Sequence, residues 1–277
     1  MGRPFVKMNG LGNDFVVVEA LEAPFKPTHD VVRAIASRGG GVGCDQLIVL
    51  EPSENANAFM RIWNADGLEV EACGNAARCV GWLLMQALRR EAVTIETVVG
   101  VLHATRAGEG LITVDMGVPG LEWGEIPLSG PMDTRELDLR MDGGQGGPGC
   151  VSVGNPHLVF FVADVLATPV MALGPWFETH KRFPARTNVE FTQVLARDHL
   201  RVRVWERGVG VTKACGTGAC AAVVAASRRD LADRTATVTL DGGDLTIEWR
   251  ESDDHLLMTG PIAVEFVGRL PAMEVAL

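Results

Sequence analysis

The chain alternates short apolar runs with polar turns, and few stretches carry a helical period. Residues 5–8 and 15–19 are apolar runs parted by Gly-Leu-Gly-Asn-Asp, which predicts a β-hairpin. Thr28 precedes Val31, Val32, Ile35 and Ala36, which share one face of a helix that Thr28 would cap and glycines 39–43 would end. Residues 46–50 and 58–63 read as strands, and Asn-Ala-Asp-Gly after Trp63 as a turn. Residues 94–99, 101–105 and 111–116 alternate as strands do. Beyond Pro119-Gly120, where the chain crosses between domains, the glycine-rich stretch 143–149 reads as a flexible surface loop. The second half then offers a helix at or near residues 175–181 and a strand at 200–205. After Gly260-Pro261, residues 262–267 form one more strand, expected to return to the first domain. Each half has strands around one long apolar helix, and the strands do not alternate with helices as βαβ units would. The predicted fold class is therefore α/β of the α+β type. It has two pseudo-symmetric domains, residues 1–118 with 262–277 and residues 119–261, each a curled, mostly antiparallel sheet wrapped around a central helix.

The two apolar helices begin alike. Residues 71–79 read EACGNAARC and residues 214–220 read ACGTGAC, in each case a cysteine ending an extended segment, then Gly, then a helix. The helices close on Arg89-Arg90 and Arg228-Arg229, residues that suit a helix C-terminus. A cysteine at a helix N-terminus meets the positive end of the dipole, which favours its thiolate. The N–H groups of Gly74, Asn75 and Ala76, and of Gly216, Thr217 and Gly218, would form carboxylate pockets. An ungapped offset of 142 residues, which pairs Cys73 with Cys215, also pairs Asn13 with Asn155, Gln46 with Asn188, Arg61 with Arg203, Trp63 with Trp205 and Asn64 with Glu206. The same offset pairs Thr97 with Thr239 and Gly100 with Gly242. GNDFVVV runs beside GNPHLVF, and MRIWN beside VRVWE. Most matched positions are polar or turn residues, which a shared hydrophobic period would not align. Two homologous halves of about 120 to 140 residues follow, near ordinary domain size. Polar residues recurring at corresponding strand edges are expected to face a cleft between the halves, a natural place for a small-molecule site.

Composition narrows the classes. A chain of 277 residues accommodates two domains with a sizeable core each. Net charge is −10, with no block of like charges and only four lysines, which argues against nucleic acid and anionic membrane surfaces as partners. The first ten residues lack the apolar core of a signal peptide, and no run approaches a membrane span, so a cytoplasmic protein with reduced cysteines is expected. Neither Cys73–Cys79 nor Cys215–Cys220 has zinc-ligand spacing or a nearby histidine partner. GGGVGCD is followed by a strand rather than a helix, unlike a nucleotide loop. Lys213 precedes the second cysteine, but nothing else points to a pyridoxal Schiff base. No metal and no organic cofactor are expected.

Seven separated strings, GLGNDF, GVGCDQ, WNADG, ACGNAARC, GNPH, RTNVEF and ERGVGVTKACGTGA, in this order, resemble diaminopimelate epimerase over essentially the whole chain. The resemblance implies a cofactor-independent enzyme of two pseudo-symmetric domains with one active site between them. Such an enzyme interconverts LL- and meso-diaminopimelate on the route to lysine and peptidoglycan. Inverting a carbon that bears hydrogen, ammonium and carboxylate needs a base on one face and an acid on the other. The resemblance makes Cys73 and Cys215 that pair, with helix N-termini offsetting charge as it develops. It assigns Arg207 to clamp a distal carboxylate bidentately and Glu206 to take an ammonium. Asn64, Asn155 and Asn188 become neutral hydrogen-bonding partners, and Asn13, Gln46, Gly74, Asn75, Gly216 and Thr217 line the site. His157, after Asn155-Pro156, would help deprotonate or orient a cysteine.

Plainer readings exist for each residue taken singly. A cysteine beside glycine is usually a small buried hydrophobe, a Glu-Arg pair ending a strand a solvated edge, and an asparagine in a turn a backbone device. Cys79 and Cys220 lie one to two turns into their helices and read as core, while Cys44 and Cys150 carry no motif. The chain departs from the family pattern at Leu68, Ala76 and Val211, which bear on fine geometry rather than on a reacting group. Two rivals stand beside the epimerase. One is a proline- or hydroxyproline-type cysteine-pair racemase, whose first motif resembles CGHG where this chain has CGNA. The other is an amino-acid-binding protein without catalysis. The expected partner is a small molecule, diaminopimelate; the sequence leaves assembly, including a homodimer, open.

Overall fold

The computed structural model describes residues 2–71 and 73–270. Ala72 of the first cysteine motif and residues 271–277 of the first expected domain lie outside them. The chain divides into two compact units, Met1–Val114 with Gly260–Leu277, and Asp115–Thr259. The sequence puts these divisions at 118/119 and 261/262. The first division instead falls one residue before the end of a strand, Leu111–Asp115, upstream of the Pro119-Gly120 turn.

The first unit opens with strands β1 (Pro4–Gly10) and β2 (Asn13–Glu19), paired antiparallel. Leu11 and Gly12 both have positive φ (61° and 82°), the geometry that matches the strand twist in a two-residue hairpin. Asn9 Oδ1 accepts from Gly12 N at 2.8 Å and fixes the turn. Helix α1 (His29–Ala36) is capped by Thr28, whose hydroxyl accepts from Val31 N, and it buries Val32, Ile35 and Ala36. Strands β3 (Gln46–Glu51), β4 (Ala58–Asn64) and the short β5 (Glu69–Val70) follow, then helix α2 (Gly74–Leu88). Strands β6 (Ala92–Thr97), β7 (Gly100–Gly108) and β8 (Leu111–Asp115) complete the run. β2 runs parallel to β3, and β4 parallel to β6, whereas β3–β4, β4–β5 and β6–β7 are antiparallel. A methyl group added at Gly81 of α2 would stand 2.7 Å from Ala104 Cβ of β7, so the glycine sets how closely helix and sheet approach. The last strand among the described residues, Ala263–Arg269 (β17 in chain order), pairs antiparallel with β1.

The second unit repeats this plan. Its elements are β9 (Gly149–Ser152), β10 (Pro156–Phe161), α3 (Val170–Glu178), β11 (Asn188–Ala196), β12 (His199–Glu206), β13 (Gly210–Thr212), α4 (Gly216–Arg228), β14 (Thr235–Leu240), β15 (Gly243–Trp249) and β16 (Leu256–Pro261). The two parallel pairings recur, β10 with β11 and β12 with β14, among antiparallel neighbours. Registers match residue for residue. Phe15 faces Gln46 as His157 faces Asn188, and Leu47 faces Trp63 as Val189 faces Trp205. The offset of 142 holds up to the cysteines and then slips. β6 corresponds to β14 and β7 to β15 end for end, so Thr97 answers Leu240, and Gly100 answers Gly243, both glycines at φ 134°. The expected pairs with Thr239 and Gly242 are therefore one residue out. The cause lies after the cysteines: α2 and α4 differ in length, and so do the loops that follow Arg89 and Asp230, the left-handed residues after each helix.

Two further expectations change. Helix α3 starts at Val170, well before residue 175, and contains Pro175, because burial of Val170, Gly174 and Phe177 carries the helix through the proline. The stretch 143–149 is not a free loop. Gln145 N donates to Phe161 O at 2.7 Å, Gly147 N donates to Glu136 Oε1 at 2.9 Å, and Gly147, Pro148 and Gly149 are buried. Among the described residues no helix is long and apolar enough to cross a membrane.

Candidate functional site

In the first unit, Cys73 is the extended residue just before α2, at φ −149° and ψ 111°, and Gly74 and Asn75 open the helix. The Cys73 thiol donates to Asn13 Oδ1 at 3.7 Å, and Asn75 Nδ2 approaches the same oxygen at 3.5 Å. Asn13 is held from its other end, where Nδ2 donates to Asp45 Oδ2 at 3.0 Å. That carboxylate also accepts from Asp14 N, while Asp14 Oδ1 accepts from Asp45 N at 2.8 Å. Beneath them Lys7 Nζ, almost fully buried, donates to Asp14 Oδ2 at 2.6 Å and to Gly43 O, and Arg38 bridges Asp14 and Asp45. Burial disfavours the Asp14 charge, but hydrogen bonds from Arg38 and Lys7 outweigh it and hold the carboxyl well below the usual carboxylate range. Gln46 and Asn64 face each other across β3 and β4, with Gln46 Nε2 donating to Asn64 Oδ1 at 2.9 Å. Gln46 Oε1 is buried and has no hydrogen-bond partner among the described residues.

In the second unit, Cys215 stands in the same place before α4, at φ −126° and ψ 110°. Its sulfur accepts from Gly218 N at 3.4 Å, lies 3.5 Å from Thr217 Oγ1 and hydrogen-bonds Glu206. Glu206, at the end of β12, also accepts from the Thr212 hydroxyl. Glu206 and Arg207 are neighbours in sequence but diverge: the carboxylate turns to the thiol, and the exposed guanidinium donates to Ala185 O at 3.1 Å. Asn188 spends its amide on backbone, donating to Pro156 O and accepting from Arg207 N, both at 2.9 Å. His157, fully buried, lies between Asn155 Oδ1 (2.8 Å from Nε2) and Glu190 Oε1 (2.7 Å from Nδ1).

At position 215 the helix N-terminus favours the thiolate, but its other surroundings oppose it. Burial pushes the Cys215 thiol well above its ordinary value, the charges of Glu206 and Glu190 push it further, and the bonds from Thr217 and Gly218 only partly oppose them. Burial likewise raises Glu206, against the Thr212 bond. Burial also raises the Cys44 thiol to about 11 and the Cys79 thiol to about 12, consistent with packing roles.

Four acids and a hydroxyl that position these groups were not singled out from the sequence. Asp45 and Asp14 sit inside the GVGCDQ and GLGNDF strings. Glu190 sits inside RTNVEF, where the 142-residue offset sets it opposite apolar Ile48. Glu178, at the end of α3, accepts from Gly208 N at 3.0 Å and Trp205 Nε1 at 2.6 Å and so holds the turn that carries Arg207. Thr212, on β13, orients Glu206.

A sequence profile described as diaminopimelate epimerase matches residues 5–121 and again residues 149–265. The chain belongs to the diaminopimelate epimerase family. A diaminopimelate epimerase of Phenylobacterium zucineum is 61% identical over 274 residues, covering 98% of this chain and 99% of the relative. One from Caulobacter vibrioides is 52% identical over 288 residues, covering 100% of both. Among solved structures, a phenazine biosynthesis protein of the PhzF family from Bacillus anthracis aligns with a TM-score of 0.72 at 15% identity, over 98% of this chain and 99% of the other. A hydroxyproline epimerase from Agrobacterium vitis, with bound trans-4-hydroxy-L-proline, aligns at TM-score 0.68 and 16% identity, over 97% and 92%. These distant structures share the fold of this member of the diaminopimelate epimerase family.

Proposed function

We propose that the chain is an epimerase interconverting LL- and meso-2,6-diaminopimelate, with Cys73 and Cys215 serving opposite faces of one α-carbon. The observation that carries this reading is the duplicated Cys-Gly helix start, one in each unit, in a chain 61% identical to a diaminopimelate epimerase. One sulfur, as thiolate, takes the α-proton, and the other, as thiol, delivers its own proton to the opposite face. The first ends as thiol and the second as thiolate, and the reverse reaction exchanges the roles. Cys215, buried beside the carboxylates of Glu206 and Glu190, suits the donor's role when Cys73 acts as base. When Cys215 in turn acts as base, Glu206 on its sulfur is the group placed to accept its proton.

Asn13, Gln46, Asn64 and Asn75 on one unit, and Asn155, Asn188, Arg207 and Thr217 on the other, serve as substrate contacts. The first-turn N–H groups at Gly74 and Gly216 hold a carboxylate. Arg207 reads the distal carboxylate, and the unpartnered Gln46 Oε1 suits an ammonium. The chemistry needs no metal and no organic cofactor. A cytoplasmic location is supported by six cysteines that form no disulfide among the described residues, and a homodimer by the exposed apolar residues Val264, Phe266 and Val267 of β17.

Incubation with LL-diaminopimelate in deuterated water tests the reading. The expected product is the meso isomer carrying deuterium at one α-carbon, with L-proline unchanged alongside. Turnover of proline in place of diaminopimelate would favour the proline-type racemase instead.

A further inference from the structure

The two units are built on one register, yet the pair packed beside Cys215 is not the pair found in the first unit. Where the first unit has Phe15 on β2 and Ile48 on β3, the second has His157 on β10 and Glu190 on β11, and all four are fully buried. The polar pair borders the thiol. A methyl group added at Gly218 would stand 2.8 Å from Glu190 Oε1 and 3.3 Å from Cys215 Sγ. A buried histidine and glutamate replacing two apolar side chains carry a desolvation cost that packing alone does not require.

The pair's outlet is Asn155, the equivalent of Asn13. Asp45, an acceptor, grips Asn13 by its NH2 group and leaves its carbonyl toward Cys73. Asn155 presents its carbonyl at 2.8 Å to His157 Nε2, an oxygen that accepts when that nitrogen carries the proton. Glu190 Oε1, 2.7 Å from Nδ1, holds the ring with Nε2 turned to Asn155. A stereocentre bearing ammonium and carboxylate has no symmetry, so the two halves of a duplicated site need not present the same hydrogen-bonding group.

We propose that Glu190 is a positioning residue that acts through His157 to hold Asn155 with its carbonyl inward and its NH2 free to donate to a carboxylate of the substrate. Asn13, in the first unit, is held the opposite way. The proposal rests on the epimerase reading above.

The test is a double-mutant cycle. The variant His157→Phe/Glu190→Ile copies the apolar pair the first unit already packs, which keeps the fold. It is expected to lose about 100-fold in kcat/KM, the scale of one well-placed donor. Asn155→Ala in the wild-type background should lose a similar factor, and Asn155→Ala added to the double variant should lose at most about twofold more, because the three residues act as a unit. Independent multiplication of the two losses, or a double variant within about threefold of wild type, would overturn the proposal. Nitrogen-15 NMR of labelled histidine in the wild-type protein gives a readout free of activity. His157 Nε2 is expected to be protonated at neutral pH, and a bare Nε2 would count against the assignment even if the variants did not fold. A wild-type protein inert toward LL-diaminopimelate would instead defeat the epimerase reading and leave the NMR result to judge the positioning role.

Discussion

Replacing Lys7 by Met puts the acid-base scaffold under Asn13 to a quantitative test. Met fills nearly the same volume, so the change removes a charge and its hydrogen bonds rather than packing. Lys7 Nζ donates to Asp14 Oδ2 at 2.6 Å and to Gly43 O, and only 4% of its side chain is exposed. Breaking a buried ion pair from one side costs about 3–5 kcal/mol when the remaining charge has no other partner. Asp14 keeps Arg38, at 2.9 and 3.0 Å, but that guanidinium is 60% exposed and solvent-screened. The net expectation is about 2–3 kcal/mol, to which the orphaned Gly43 carbonyl contributes about 1 kcal/mol. This is a large share of an ordinary folding free energy of about 5–15 kcal/mol. The pH dependence carries the sign. Asp14's folded value is depressed, so its stabilisation is fully present above its unfolded value of about 3.9 and fades as pH falls toward the folded value. Urea unfolding of wild type and Lys7→Met should therefore differ most near pH 7, and the difference should narrow only in stronger acid, as pH falls below about 3 toward the folded value. A difference under about 0.5 kcal/mol at pH 7, or one that does not shrink with acid, would refute the buried-pair argument.

Two further outcomes follow from the second unit. Alkylation of Cys215 by iodoacetamide, read by peptide mass spectrometry, should be slow at pH 7 and rise only well above the ordinary thiol range. Glu206→Gln, which removes a neighbouring negative charge, should move that rise to lower pH; a shift upward, or none, would contradict the electrostatic account. Arg207→Met should raise KM for diaminopimelate by at least about tenfold, the scale of one lost charge-assisted contact, without unfolding the protein, since the guanidinium is exposed. An unchanged KM would remove Arg207 from the carboxylate-binding set.

What the sequence disclosed was mostly local. The Leu11-Gly12 hairpin, the Thr28 cap and the two Cys-Gly helix starts each depend on a few adjacent residues, and turn and cap chemistry is written at that range. The duplication was legible because polar residues recur at one spacing. It slipped past the helices because an insertion between a helix and a strand leaves no local mark. Helix α3 was placed late because Pro175 reads as a start, whereas burial of Phe177 and Val170 decides the matter. Glu190 was passed over because β11 is buried on both faces, and alternation cannot separate a buried acid from its apolar neighbours. The upward push on the Cys215 thiol was unreadable for a similar reason. The helix dipole is visible in the sequence, but the desolvation and the two carboxylates that overcome it come from packing.

The central claim is that each unit supplies one cysteine to the epimerisation, one removing the α-proton and the other delivering its own. Its most direct measurement is the rate of meso-diaminopimelate formation from the LL isomer by wild type, Cys73→Ala and Cys215→Ala, followed with deuterium uptake at the α-carbon. The account predicts epimerisation with one deuterium incorporated for the wild type and no epimer from either variant. Normal epimerisation by Cys73→Ala or by Cys215→Ala would contradict it.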